Sequence, residues 1–138
     1  MAREGKPAVN VYLAASWSLK NEMRQVRKLL NQAGHRVTSR WLDEPAEQSL
    51  AAHDLADDRE IGARHAAQDL EDIDAAECVL VFTKVASTTG GLHVELGYAL
   101  GRGKRVLICG PRVNVFQCLV EHRPDFAAAV DALARLCR

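Results

Sequence analysis

Glu95 stands in the stretch Thr89-Gly90-Gly91-Leu92-His93-Val94-Glu95-Leu96-Gly97-Tyr98-Ala99-Leu100, among neighbours that are almost all apolar. A lone carboxylate in that setting is costly to bury and needs a reason. Two readings fit the spacing. The glycine pair opens a helix, and Glu95 in its early turns either caps that helix or is a nucleophile whose ionised form the helix dipole favours. Asp69 is the candidate second carboxylate. It flanks the apolar stripe of Ala63, Ala66, Leu70 and Ile73, and burial there would raise its hold on a proton. Two carboxyls facing one pocket can divide labour: one attacks an anomeric carbon, the other protonates the leaving group.

Other chemistries find less support. Gly90-Gly91 at a helix start is a possible anion cradle, but it matches neither G-x-G-x-x-G nor G-x-x-x-x-G-K-[ST]. His93-Val94-Glu95 matches the H-x-E half of a zinc deaminase signature, and the required P-C-x-x-C half is missing. Cys78, Cys109, Cys118 and Cys137 share no C-x-x-C spacing, so no metal site and no cofactor are expected. Cys78 and Cys109 lie in apolar strand patterns and read as buried thiols. Eighteen Lys and Arg balance eighteen Asp and Glu, which leaves no broad electrostatic footprint for a nucleic-acid polymer or a membrane surface.

The elements that must position these residues follow from periodicity. Val9–Ala15 is a first strand with Tyr12 at its middle. Ser18 is a plausible N-cap for a helix carrying Leu19, Met23, Val26, Leu30 and Ala33, which Gly34 ends. His35–Trp41 reads as a weaker, edge-like strand, and Leu42 to about Asp58 as a polar excursion. A helix is expected over Arg59–Ala76, with Glu71, Asp72 and Asp74 solvated. Glu77–Thr83 and Arg105–Gly110 are near-continuous apolar runs, the pattern of buried parallel strands. Pro111–Val120 reads as a loop with a short strand or turn, and Phe126, Val130, Leu133 and Leu136 mark a last helix. Strands alternating with helices predict one α/β domain over residues 1–138, a flavodoxin- or Rossmann-like parallel sheet with helices on both faces. Ligands bind beyond the carboxyl ends of such strands. The loops there carry Ser16 and Trp17, then Thr89, Gly90 and Gly91, then Asn114.

The Leu92–Leu100 helix is apolar on nearly every side, and a helix apolar all round is buried all round. A homo-oligomer, dimer or higher, with this helix at the interface is therefore expected. The N-terminus lacks the apolar core of a signal peptide, and no apolar run is long enough to span a bilayer. A cytoplasmic protein is the expectation.

Three segments together resemble the nucleoside 2-deoxyribosyltransferase superfamily, which includes deoxynucleoside 5'-monophosphate N-glycosidases. They are VYLAASW with Tyr12, AAQDLEDIDAAECVLVFT with Asp69, and GGLHVELGYALGRGKRVLICGP with Glu95. The resemblance implies a flavodoxin-like sheet, an oligomer with active sites near subunit interfaces, and a nucleoside or nucleotide substrate. It implies that Glu95 attacks C1' of a 2'-deoxynucleoside to give a covalent deoxyribosyl-enzyme. Asp69 would assist departure of the base, and the Tyr12 hydroxyl would orient Glu95. One departure stands out: the transferases carry a further carboxylate shortly before the nucleophile, where this chain has Thr89. The rival readings are a nucleotide-binding or sensing module of the same fold, without turnover, and a cleaver of the NAD glycosidic bond.

Overall fold

The computed structural model describes residues 8–44, 59–86 and 90–136. Five strands form one parallel sheet: β1 (Asn10–Ala14), β2 (Arg36–Val37), β3 (Cys78–Phe82), β4 (Arg105–Cys109) and β5 (Glu121–Arg123). Their spatial order is β2-β1-β3-β4-β5, the flavodoxin-like order. The helices are α1 (Lys20–Gln32), α2 (Arg59–Asp74), α3 (Gly91–Gly101) and α4 (Phe126–Leu136). Chain direction across the sheet reverses at β1. Right-handed crossovers therefore send α1 to one face and α2 and α3 to the other. The reversal opens a crevice at the carboxyl ends of β1 and β3. The expected single α/β domain with a parallel sheet is what forms.

The core follows from composition along the strands. Every residue of β3 is buried, as is every residue of β4 after Arg105, so both strands are covered on two faces and read as unbroken apolar runs. Val26, Leu30 and Met23 bury the inner face of α1, and Ala129, Ala132 and Leu133 that of α4. Phe126 of α4 meets Phe82 at the end of β3, with ring centroids 6.4 Å apart.

Several sequence expectations give way. β2 is two residues long, not seven. Beyond Val37 the chain turns into a 3-10 helix at Arg40–Asp43, and side chains take over the ladder. Ser39 Oγ accepts from the Leu13 N–H at 2.7 Å, and Trp41 Nε1 donates to the Leu13 carbonyl at 2.9 Å. β5 is polar and mostly exposed, an edge strand with no apolar alternation to announce it. Ser18 caps nothing. A 3-10 turn at Trp17–Leu19 precedes α1, whose N-cap position is Leu19. On α2, Ala63 and Ala66 are exposed and the buried face begins near Leu70. Asp72, expected in solvent, is only 4% exposed. Its carboxylate accepts from the Arg40 backbone N–H at 2.9 Å and from Arg40 Nε at 2.7 Å, which offsets the cost of burial.

Candidate active site

Gly90 starts the site. It occupies the N-cap of α3 with φ +82°, a left-handed conformation that favours glycine. Glu95 is then the fifth residue of α3, beyond the first turn, where the helix dipole has largely decayed. Its carboxylate does not cap its own helix. It crosses to β1, where the Tyr12 hydroxyl donates to Oε2. Tyr12 lies in mid-strand and is fully buried, so the sheet core sets the orientation of the Glu95 carboxyl.

The electrostatics differ from a dipole-stabilised carboxylate. Burial is the largest influence on Glu95, and it pushes the carboxyl up to about 8. The Tyr12 hydrogen bond pulls it down, and the charge of Asp69 pushes it further up. Burial, then the negative charges of Glu95 and Asp69, hold the Tyr12 hydroxyl well above its ordinary range, so it remains a donor. The expectation that the helix terminus keeps Glu95 ionised is thus corrected. Desolvation outweighs the dipole at this depth.

Asp69 is brought to the same place from α2. Burial first, then the charges of Glu44 and Asp72, push it up to about 7, and Arg40 acts the other way. Its Oδ1 is buried and accepts no hydrogen bond among the described residues. A carboxyl whose hold on its proton is raised toward neutral pH, with an unused buried oxygen, is suited to give a proton to a bound molecule. The α2 and α3 helices that carry the two acids are tied at their far ends. Tyr98 donates to Asp74 at 2.9 Å, as does Arg102, and Lys104 Nζ donates to the Asp74 carbonyl at 2.9 Å.

The other expected site residues occupy the loops at the same edge of the sheet. Ser16 Oγ lies 3.0 Å from Ser18 Oγ. Trp17 is partly buried, its ring centroid 5.9 Å from that of Trp41, and Lys20 Nζ sits 3.9 Å from the Trp17 centroid. Asn114 accepts from the backbone of Phe116 and Gln117 to cap a 3-10 turn at Val115–Leu119. Its Nδ2 lies 3.3 Å from His93 Nδ1, which links the loop after β4 to the start of α3. Gly91 is exposed and a Cβ there would meet nothing. Thr89 lies outside the described residues. Gly110, after β4, has φ +123°, and a Cβ would come within 2.7 Å of Thr83 Oγ1. Only glycine lets the ends of β3 and β4 come this close.

Sequence reasoning missed a second rank of residues around Asp69: Arg40, Glu44, His65 and Asp72. Glu44 Oε1 lies 2.8 Å from His65 Nδ1 and accepts from Gln68 Nε2 at 3.2 Å. His65, Asp69 and Asp72 follow at i, i+4 and i+7 along α2, one helix face, and that spacing is the signal that could have found them. Among the described residues no group of three or more His, Cys, Asp and Glu side chains is placed to hold a metal ion. No helix among them is long and apolar enough to cross a membrane.

A doubly wound parallel sheet with a Tyr-held carboxyl at its switch point and a second buried carboxyl near it defines a class: flavodoxin-like α/β proteins with paired acids at the carboxyl ends of the strands. The profile of the family Nucleoside 2-deoxyribosyltransferase matches residues 11–129, and the chain belongs to that family. Membership places it among enzymes of nucleoside glycosyl transfer. Two solved structures share the fold. One is a 2-deoxyribosyltransferase from the psychrotolerant bacterium Bacillus psychrosaccharolyticus, with a TM-score of 0.64 and 18% identity over 87% of this chain and 89% of that one. The other is the CMP N-glycosidase BcmB of Clostridium botulinum, with a TM-score of 0.52 and 16% identity over 90% of this chain and 97% of that one. No curated protein sequence matches the chain at a significant level.

Proposed function

We propose that the protein cleaves or transfers across the N-glycosidic bond of a 2'-deoxynucleoside or its 5'-monophosphate, through a covalent deoxyribosyl-Glu95 intermediate. The observation that carries this reading is the Tyr12–Glu95 hydrogen bond at the switch point, with Asp69, whose buried Oδ1 has no hydrogen-bond partner among the described residues, close enough for its charge to act on Glu95. In the first step a Glu95 oxygen forms a bond to C1' as the C1'–N bond breaks. The bond's electron pair leaves with the base, and Asp69 gives that base a proton. In the second step water or an acceptor base attacks C1', returns its proton to Asp69 and releases Glu95. Two inversions give net retention. Splitting one displacement into two lowers each barrier.

Ser16, Trp17, Gly90, Gly91 and Asn114 are the proposed substrate contacts at the rim of the crevice, and Thr89, outside the described residues, is proposed with them on the sequence alone. Arg112 is a poor candidate for a 5'-phosphate. Its Nε and Nη2 donate to the carbonyls of Gln117 and Val120, and its Nη1 lies 2.9 Å from His122 Nδ1. It braces its own loop. Ser16 and Ser18 are the better candidates.

A homo-oligomer through α3 belongs to the same proposal. Within one chain α3 is not buried all round: Val94 is 65% exposed. Next to it, across the Asn114–His93 link, Val113, Val115, Phe116 and Leu119 are also exposed. A second copy covering this apolar surface is the expected arrangement. Light scattering should then report a dimer or larger, and Phe116→Glu should lower the mass.

The reaction is tested by incubating the protein with each deoxynucleoside, each deoxynucleoside monophosphate and NAD, with and without an acceptor base. Free base is followed by chromatography. Release in water means hydrolase, and release only with an acceptor means transferase. Nucleotide binding with no release would replace the enzyme reading with the sensing module, and release from NAD alone would replace the substrate. Release unchanged in Glu95→Ala would remove Glu95 as the nucleophile.

A further inference from the structure

Asp69 lies among titratable and charged groups from the elements packed around it. Tyr12 comes from β1, Glu95 from α3, His65 and Asp72 from its own helix, and Arg40 and Glu44 from the segment after β2. The two neighbouring carboxylates are each restrained. Asp72 is held by Arg40, through Nε and the backbone N–H. Glu44 is held by His65 and Gln68, and its side chain is 13% exposed. A side chain so enclosed, gripped at one oxygen from two positions of α2, cannot swing away from that helix without breaking both contacts. His65 is one helical turn before Asp69, and Gln68 is its immediate neighbour, so the grip that fixes Glu44 also fixes it relative to Asp69.

We propose that Glu44 is a positioning residue for the glycosidic step: held by His65 and Gln68, it keeps a negative charge against Asp69, so that Asp69 meets the departing base with its proton on. The inference rests on the deoxyribosyl-transfer reading, and it adds a residue outside the pair of reacting acids. Its chemistry is Coulombic. A fixed negative charge gripped by the residue next to Asp69 makes the loss of a second proton harder. After burial itself, Glu44 is the largest influence raising Asp69. A purely structural role would make a different claim, that Glu44 only ties the segment after β2 to α2.

Glu44→Gln separates the two roles, because it keeps the shape and an acceptor oxygen but loses the charge. Asp69 should release its proton about one pH unit lower. The acid limb of the kcat/KM profile should move down with it, and the plateau for a natural deoxynucleoside should fall about tenfold. Turnover of para-nitrophenyl 2-deoxyriboside, whose leaving group departs as a stable anion, should not fall. Glu44→Asp, which restores the charge, should restore the limb. Equal losses on both substrates with an unmoved limb would overturn the proposal in favour of the structural role. Carbon NMR of the Asp69 carboxyl gives the same answer without turnover: a midpoint that moves down supports the proposal, and one that stays overturns it. If Glu44→Gln does not fold, Glu44→Ala is read in the same way. A wild-type protein that releases no base from any deoxynucleoside would sink the proposed reaction, while the NMR titration would still decide the effect of Glu44 on Asp69.

Discussion

Replacing Tyr12 by Phe removes one hydroxyl from the core of the sheet and keeps the ring. That hydroxyl donates to Glu95 Oε2 and favours the carboxylate against burial. A hydrogen bond to a charged group is worth about 1.5–3 kcal/mol net, and about 1.4 kcal/mol moves a pKa by one unit. In Tyr12→Phe the Glu95 carboxyl should therefore rise by about one to two units above its value of about 8. Asp69, at about 7, lies below Glu95. The reactive arrangement, Glu95 ionised and Asp69 protonated, then competes with the singly protonated form that carries the proton on Glu95. Raising Glu95 cuts the share of the reactive form roughly 10- to 100-fold. kcat/KM should fall by that factor across its plateau. The alkaline limb, which follows Glu95, should move up, and the acid limb, which follows Asp69, should stay. Base release from a deoxynucleoside, followed from about pH 5 to about pH 10, measures all three. An unchanged plateau with an unmoved alkaline limb would refute the role of the hydrogen bond. An acid limb that moves up instead would refute the order of the two acids.

Three further outcomes follow from other parts of the structure. Asp69 is raised from 3.8 to about 7 in the folded chain, so the stability its proton maintains is full below the unfolded value and is lost as pH rises through the folded one. Asp69→Asn removes that loss. Its Tm should gain on wild type from about pH 4 to about pH 7 and run parallel above, and a constant gap would count against the raised pKa. Gly90→Ala meets open space and pays only for its positive φ, about 1 kcal/mol and a Tm drop of about 3–6 °C. Gly110→Ala should cost distinctly more, because its Cβ meets Thr83 Oγ1, which is anchored to the Pro111 carbonyl at 2.6 Å. Equal losses would refute the close approach. Arg40→Ala leaves the buried Asp72 carboxylate with only the backbone N–H. Denaturant titration should show a loss of stability, because the buried carboxylate loses its charged partner, and the acid limb of activity should move up, since Arg40 pulls Asp69 down.

The sheet was legible in the sequence where burial is two-sided. The apolar runs of β3 and β4 need no partner to declare themselves. β2 and β5 were not, for opposite reasons. The apparent strand His35–Trp41 spends Ser39 and Trp41 side chains on the Leu13 backbone in place of its own amides. Glu121–Arg123 pairs through its backbone while its side chains read as loop. Glu95 and Asp69 were visible as acids beside apolar positions, but periodicity left Glu95 divided between a cap and a nucleophile. Family resemblance, not spacing, singled out Tyr12, because nothing in a mid-strand tyrosine tells where its hydroxyl points. Asp72 was hidden by its neighbours: within Glu71-Asp72-Ile73-Asp74 only three-dimensional packing distinguishes the buried acid from the solvated ones. Glu44 was hidden by distance along the chain from α2.

The short β2 has a consequence for how such a protein can change. The stretch that delivers Arg40 and Glu44 to the site begins where backbone pairing stops, and two side chains pin its root to Leu13. A segment fastened by Ser39 and Trp41 can be rewritten as far as Glu44 without unzipping a strand from the sheet. The two candidate acids sit on helices locked to the core and to each other. The charges that tune one of them hang from an arm that evolution, or an engineer, can redraw separately.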